Sequence, residues 1–137
     1  MESPKILVVE DDEHVAAMLC FLLEDEGHGC IRVSTAEDGR NEVLAHSLRA
    51  AIVDLRLPGR DGWWLIRRIR RERRTYRLPI VLISGFLDDT VVSRARALGC
   101  ESLGKPFSFD ELADRLERAA ELAAALPDWT LPGDPEG

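Results

Sequence analysis

The stretch from Lys5 to Val15, "KILVVEDDEHV", decides the fold and raises a chemical question. Four branched apolar residues, Ile6 to Val9, run directly into three acidic residues, Glu10, Asp11 and Asp12. A short apolar run rich in β-branched residues is typical of a buried strand in a parallel sheet. The start of a helix would explain one acid, but three mutually repelling carboxylates at the end of a buried strand need a further reason.

The composition indicates one globular domain. The chain has 137 residues, of which 45% are hydrophobic and 31% are charged. No apolar run is long enough to span a membrane, and the N-terminus lacks the apolar core of a signal peptide, so we expect a cytoplasmic protein with no membrane partner. The net charge of −7 argues against direct binding of nucleic acid.

Six arginines lie within residues 67–74, and a solvated helix face followed by a loop is favoured there over a patch for an acidic partner. The cysteines Cys20, Cys30 and Cys100 are odd in number and have no metal-ligand spacing. We therefore expect all three to be reduced packing residues, not ligands or disulfide partners.

Apolar runs alternate with helical patterns along the chain. Strands are predicted at 6–9, 30–33, 50–54, 80–83 and 102–103, and helices at 13–26, 36–45, 63–72, 88–98 and 109–126. Five strand–helix repeats predict a doubly wound α/β fold, with helices on both faces of a parallel sheet. Residues 1–126 form the predicted domain. Residues 127–137, with three prolines and two glycines, are predicted to be a flexible C-terminal tail.

The polar residues that could carry chemistry follow the strands. Ligands of open parallel sheets bind outside the carboxyl ends of the strands. Acids 10–12 follow the first predicted strand and Asp54 ends the third. Ser84 follows the fourth strand and Lys105 follows the fifth, whereas the second ends near Ser34 without a comparable charge. The sequence therefore predicts one rim that combines acids, a hydroxyl and an amine.

An acid cluster of this kind would repel itself unless a cation lay within it. The candidate ligands are hard oxygens without Cys or His, which indicates Mg²⁺ or Mn²⁺. A hydroxyl at Ser84 and an ammonium at Lys105 suit a phosphoryl group. The acidic pair is either Glu10 and Asp11 or Asp11 and Asp12. We prefer the first pair, because the third acid then begins the following turn.

These residues resemble the receiver domain of bacterial two-component response regulators, the CheY-like family. Four segments carry the resemblance in order, "ILVVEDD", "AIVDLRLPGRDGW", "PIVLISG" and "LGKPF". The resemblance covers about Pro4 to Leu126. It implies a flavodoxin-like (βα)5 three-layer sandwich with a five-stranded parallel sheet in the order 2-1-3-4-5.

The resemblance also implies roles for the acids. Asp54 would accept a phosphoryl group from a phosphohistidine of a sensor histidine kinase or a phosphotransfer protein. Glu10, Asp11 and Asp54 would bind the metal ion, together with the backbone carbonyl of Arg56. The Arg56 side chain would flank the path of the water that hydrolyses the aspartyl phosphate.

Further residues would form the switch that reads the phosphate. Ser84 would be the switch hydroxyl, Lys105 would pair with the phosphoryl group, and Pro106 would follow it through a cis peptide bond. Phe86 would flank the hydrolytic path. Members of the family usually carry Tyr or Phe three residues before the lysine, and this chain has Ser102 there.

The implied function is that of a single-domain response regulator, not an enzyme acting on a separate substrate. It would signal through an unidentified protein target, and phosphorylation could produce a homodimer. One alternative is a receiver module from a longer regulator or hybrid histidine kinase. A small aspartyl-phosphate phosphatase would need a second acid where Arg56 stands. A nucleotide-binding flavodoxin-like protein would need a Gly-rich or hydroxyl-rich loop in place of the three acids.

Overall fold

The computed structural model describes residues 3–131, so the predicted tail beyond residue 131 lies outside it. The strands are β1 (Lys5–Val9), β2 (Cys30–Val33), β3 (Leu48–Asp54), β4 (Ile80–Ser84) and β5 (Glu101–Gly104). The helices are α1 (Glu13–Asp25), α2 (Ala36–Ala45), α3 (Gly62–Arg71), α4 (Asp89–Ala97) and α5 (Phe109–Ala124). Each predicted element is present, with its ends displaced by at most two residues.

The five strands form one parallel sheet in the order β2-β1-β3-β4-β5, which confirms the predicted fold. Val9 at the end of β1 lies opposite Val33 of β2 and Val53 of β3. Ser84 at the end of β4 lies opposite Gly104 of β5. This register brings the carboxyl ends of the strands to a single edge of the sheet, where the side chains that follow them can meet.

The two faces of the sheet support separate apolar cores. Because side chains alternate across a strand, Ile6 and Val8 of β1 face α1 and α5, whereas Leu7 and Val9 face α3. Both faces are covered, which explains why the central strands are continuous apolar runs. Among the helices of residues 3–131, none combines the length and apolar character needed to cross a bilayer.

Arg70 departs from the predicted solvated face of the arginine run. Its guanidinium donates hydrogen bonds to the carbonyls of Leu98 (2.7 Å), Leu78 (2.7 Å), Tyr76 (2.8 Å) and Gly99 (3.2 Å). These bonds tie the end of α3 to the start of β4 and the end of α4. The prediction holds for its neighbours, which are exposed: Arg67, Arg68, Arg71, Arg73 and Arg74.

The expectation of three reduced cysteines is wrong for two of them. Cys20 of α1 and Cys30 of β2 form a disulfide, with their Cα atoms 5.6 Å apart. α1 packs beside the edge strand β2, and this packing brings together two cysteines whose spacing in the sequence gives no sign of contact. Cys100 is buried and free, as predicted. Burial raises the pKa of its thiol to about 11, so this thiol stays protonated and unreactive near neutral pH.

Gly62 allows α3 to begin directly against the end of β3. Its N–H donates a hydrogen bond to the Leu55 carbonyl at 2.9 Å. A Cβ atom at this position would lie 2.5 Å from the Asp54 carbonyl oxygen and 2.9 Å from the Leu55 Cα. Backbone atoms cannot rotate away as a side chain can, so a larger residue would push α3 away from the strand.

We expect Gly62→Ala to lower the free energy of unfolding by about 1–3 kcal/mol, because overpacking against the backbone forces a shift. Gly85→Ala is the matched control, since a Cβ there meets no atom within 4 Å. Urea unfolding followed by circular dichroism measures both. Equal stability of the two variants would show that α3 can shift away from β3 without lowering the free energy of unfolding.

We expect reductant to lower the free energy of unfolding by about 2–3 kcal/mol, because the disulfide closes a short loop in the unfolded chain. The Cys20→Ser/Cys30→Ser variant should be as stable as the reduced protein and insensitive to reductant. Cys100→Ala should keep the response. Unfolding curves with and without dithiothreitol test this, and coincident curves for the wild type would contradict it.

Candidate functional site

Side chains from three strand ends meet at the carboxyl edge of the sheet. The Lys105 ammonium donates hydrogen bonds to Glu10 Oε1 at 2.6 Å and to Asp54 Oδ2 at 2.9 Å. Glu10 and Asp54 are buried, with 2% and 5% of their surfaces exposed. The structure therefore brings together three of the residues singled out in the sequence, as a cluster of two carboxylates around one cation.

The electrostatics of the cluster show in two shifted pKa values. Burial, and then the nearby Asp54 carboxyl, raise the pKa of Glu10 to about 7, against the lowering effect of Lys105. For Lys105, burial acts to lower the pKa, but the hydrogen bonds to Glu10 and Asp54 outweigh it and the pKa lies above its ordinary value. One ammonium thus does not fully compensate two buried acids.

Asp11 completes a group of acids that could hold a metal ion. Carboxylate oxygens of Glu10, Asp11 and Asp54 all lie within 4.8 Å of one another. Asp12 is engaged elsewhere, because its Oδ1 caps α1 by accepting the N–H groups of His14 (2.9 Å) and Val15 (3.2 Å). This geometry favours the pair Glu10 and Asp11 over the pair Asp11 and Asp12.

The loop after β3 orients the Asp54 carboxylate. The backbone N–H of Arg56 donates to Asp54 Oδ1 at 3.0 Å, while Lys105 occupies the other oxygen, Oδ2. The Arg56 side chain is exposed. The role of its carbonyl as a metal ligand stays a prediction.

Ser84 lies at the same edge, but its hydroxyl points into its own loop. Ser84 Oγ donates to the Phe86 carbonyl at 2.8 Å and accepts the Phe86 N–H at 3.1 Å. The Phe86 ring is 65% exposed. The Lys105–Pro106 peptide bond is cis, as expected. Ser102, at the usual aromatic position, is half-buried in β5.

A cavity of about 600 Å³ opens beside Glu10, between α1 and the end of β2. His14, Arg32 and Asp38 line it. Arg32 thus brings a positive charge to the end of the second strand, where no charge was predicted. The available signal was the position of Arg32, one residue before the end of that strand.

Comparisons with known proteins agree with this geometry. The family model described as the response regulator receiver domain matches residues 6–117. The phosphate regulon transcriptional regulatory protein PhoB of Rhizobium meliloti (strain 1021) is 33% identical over 126 residues, which cover 91% of this chain and 55% of that protein. The transcriptional regulatory protein TcrA of Mycobacterium tuberculosis is 35% identical, over 90% of this chain and 48% of its own.

The chain thus spans about half the length of the curated relatives it matches. A solved structure of similar size is a sensor protein from Polaromonas sp. JS666, 33% identical with a TM-score of 0.80. The match covers 89% of this chain and 99% of that one. From the matched sequence, the sheet order and the acid–lysine cluster together, the chain belongs to the response regulator receiver domain family of two-component systems.

Proposed function

We propose that the domain accepts a phosphoryl group on Asp54 from a phosphohistidine of a sensor histidine kinase or phosphotransfer protein. It does so with Mg²⁺ or Mn²⁺ and signals in the cytoplasm through protein contacts, as a single-domain regulator or as the receiver of a longer one. The observation that carries the proposal is the Lys105 ammonium held between the buried carboxylates of Asp54 and Glu10. Family membership supports a histidine kinase as the partner.

The transfer needs two contributions from the protein: a positioned nucleophile and positive charge near the phosphoryl oxygens. An Asp54 oxygen attacks phosphorus, the bond from phosphorus to the partner's histidine nitrogen breaks, and that nitrogen keeps the electron pair. The Arg56 N–H fixes one Asp54 oxygen and Lys105 lies beside the other. The Lys105 ammonium is therefore placed to pair with the oxygens of the incoming phosphoryl group.

Glu10, Asp11 and Asp54 would hold the metal ion, together with the Arg56 carbonyl. The fit rests on the donor set and on one orphaned atom. Glu10 Oε2 is buried, and no hydrogen-bond donor among residues 3–131 reaches it. Oxygen ligands of this kind suit Mg²⁺, which usually binds one or two carboxylates and keeps other positions for water and phosphate. When bound, such an ion would supply positive charge to offset the negative charge of the carboxylates and of the phosphoryl group.

Ser84 would link the phosphate to a change of shape. To donate to a phosphoryl oxygen, its hydroxyl must give up the bond to the Phe86 carbonyl. The exchange would release the loop after β4, where Phe86 is exposed. Ser102 lacks the ring that usually completes the switch, so we place the readout in this loop. Formation of a homodimer on phosphorylation is part of the same proposal.

Intact mass after incubation with acetyl phosphate tests the chemistry. We expect a Mg²⁺-dependent gain of one phosphoryl group in the wild type and no gain in Asp54→Asn. Asp11→Asn should slow the gain about tenfold or more, because a metal ligand is lost. Asp12→Asn is the matched control and should react normally, since asparagine caps helices about as well as aspartate.

Two results would contradict the proposal. Phosphorylation of Asp54→Asn at the wild-type rate would exclude Asp54 as the acceptor. No phosphorylation of the wild type by acetyl phosphate or by a phosphorylated phosphotransfer domain would exclude a working receiver. Slow phosphorylation of Asp12→Asn together with normal Asp11→Asn would instead move the metal site by one residue.

The Glu10 pKa gives a pH-dependent prediction for the metal-free protein. Between pH 4.5 and about 7 the folded protein holds a proton on Glu10 that the unfolded chain has lost. Stability from this group therefore falls as the pH rises through that window. We expect Glu10→Gln to be more stable than the wild type by about 1–3 kcal/mol at alkaline pH, because a neutral amide avoids the buried charge.

Thermal unfolding in EDTA across the pH range measures the difference. The stabilisation should disappear towards the acidic end of the window, where wild-type Glu10 is protonated. Adding Mg²⁺ at alkaline pH should stabilise the wild type more than Glu10→Gln, since the ion binds the folded state through this carboxylate. If the unfolding temperatures of the two proteins changed with pH in parallel, Glu10 would not be the group with the raised pKa.

A further inference from the structure

Positive charge collects at the opposite end of the sheet from Asp54. Residues 67–77 contain seven arginines and one glutamate, a net charge of +6, so the rest of the chain carries −13. Several of these arginines border a groove of about 380 Å³ that also contains His46. We call this the basic groove and define it by His46, Arg73, Arg74 and Arg77.

The basic groove lies well away from the phosphoacceptor. Leu48, which also lines it, begins β3, and Asp54 ends the same strand. At about 3.3 Å per residue, six residues of strand place the two about 20 Å apart. Substitutions in the groove therefore leave the acid–lysine cluster untouched.

Two arginines of the groove have guanidinium groups that can bind the carboxylates of a partner. Arg73 and Arg74 are exposed, and no carboxylate of residues 3–131 forms an ion pair with either of them. Arg77 stacks over the Tyr76 ring, 5.0 Å from its centroid. This contact restricts the Arg77 guanidinium, so part of the entropy of ordering it is already lost.

A segment of the chain itself shows which groups this face can bind. Arg77 Nη2 donates to the Leu126 carbonyl at 2.8 Å and to Asp128 Oδ1 at 3.3 Å. The Trp129 Nε1 donates to the Arg71 carbonyl at 3.2 Å. A non-helical segment that carries an acid thus already lies beside the groove. Its recognition uses one carboxylate and one backbone carbonyl on the same guanidinium.

We propose that the basic groove binds an acidic, extended segment of a partner protein, with carboxylates paired to Arg73, Arg74 and Arg77. Charge complementarity selects an acidic ligand, because the groove is lined by exposed guanidinium groups. It selects a short one, because the rest of the chain is acidic overall, so a polyanion long enough to extend past the groove, such as duplex DNA, would meet acidic side chains. The inference does not depend on phosphorylation of Asp54.

Fluorescence anisotropy with a labelled oligoglutamate peptide tests it on the full chain. We expect binding that weakens with salt, and a loss of about tenfold in affinity for Arg73→Gln/Arg74→Gln, from two exposed ion pairs. Arg60→Gln/Arg118→Gln is the control with the same change in net charge, because both are exposed arginines outside the groove. It should bind like the wild type, and all variants should still be phosphorylated by acetyl phosphate at the wild-type rate.

Three outcomes would overturn the proposal. The first is no oligoglutamate binding at low salt. The second is equal binding by Arg73→Gln/Arg74→Gln and Arg60→Gln/Arg118→Gln, which would show that overall charge and not the groove determines the affinity. The third is tighter binding of a short DNA duplex than of oligoglutamate at the same salt, with dependence on Arg73 and Arg74, which would assign the groove to nucleic acid. Circular dichroism of each variant confirms that a loss of binding is not a loss of fold.

Discussion

The contact on which the rest of the site depends is the Lys105 ammonium shared by two buried carboxylates, Glu10 and Asp54. Desolvation offsets much of the attraction in such a cluster, so it contributes little to stability. The apolar faces of β1, β3 and β4 must supply the stability instead. In return they hold three strand ends in register to within hydrogen-bonding distance, which no flexible loop could do as reliably.

Charged side chains of opposite sign lie near the two ends of β3. Asp54 ends this strand beside Glu10 and Asp11, whereas Arg73, Arg74 and Arg77 line the groove at Leu48, where the strand begins. This separation of charge follows from the topology, because every strand points the same way and loops at each end can carry one sign of charge. The two proposed binding surfaces, of opposite charge preference, are compatible on one small domain, since at about 20 Å and physiological salt they are screened from each other.

The strands and the acids at their ends could be predicted, because both depend on residues that are adjacent in the sequence. An apolar run followed directly by three acids indicates both the first strand and an acidic site at its end. The same pattern, an apolar run followed by Asp54, occurs in β3. Three features could not be predicted. The Cys20–Cys30 disulfide depends on how α1 packs beside β2. The direction of the Ser84 hydroxyl depends on a loop conformation. Gly62 looks like any loop glycine until the backbone of Asp54 is placed beside it.

Arg70 is a fourth case, because its sequence context does not distinguish it from the other five arginines within residues 67–74. Its bonds to the carbonyls of Leu98 and Gly99 pin the C-terminal end of α4. Ala95 is the one fully buried residue of that helix, and it lies near the same end. A push from the loop at Phe86 would thus tilt α4 about a fixed pivot. The displacement would grow with distance from this pivot and be greatest at the N-terminal end of α4, which follows the loop after β4.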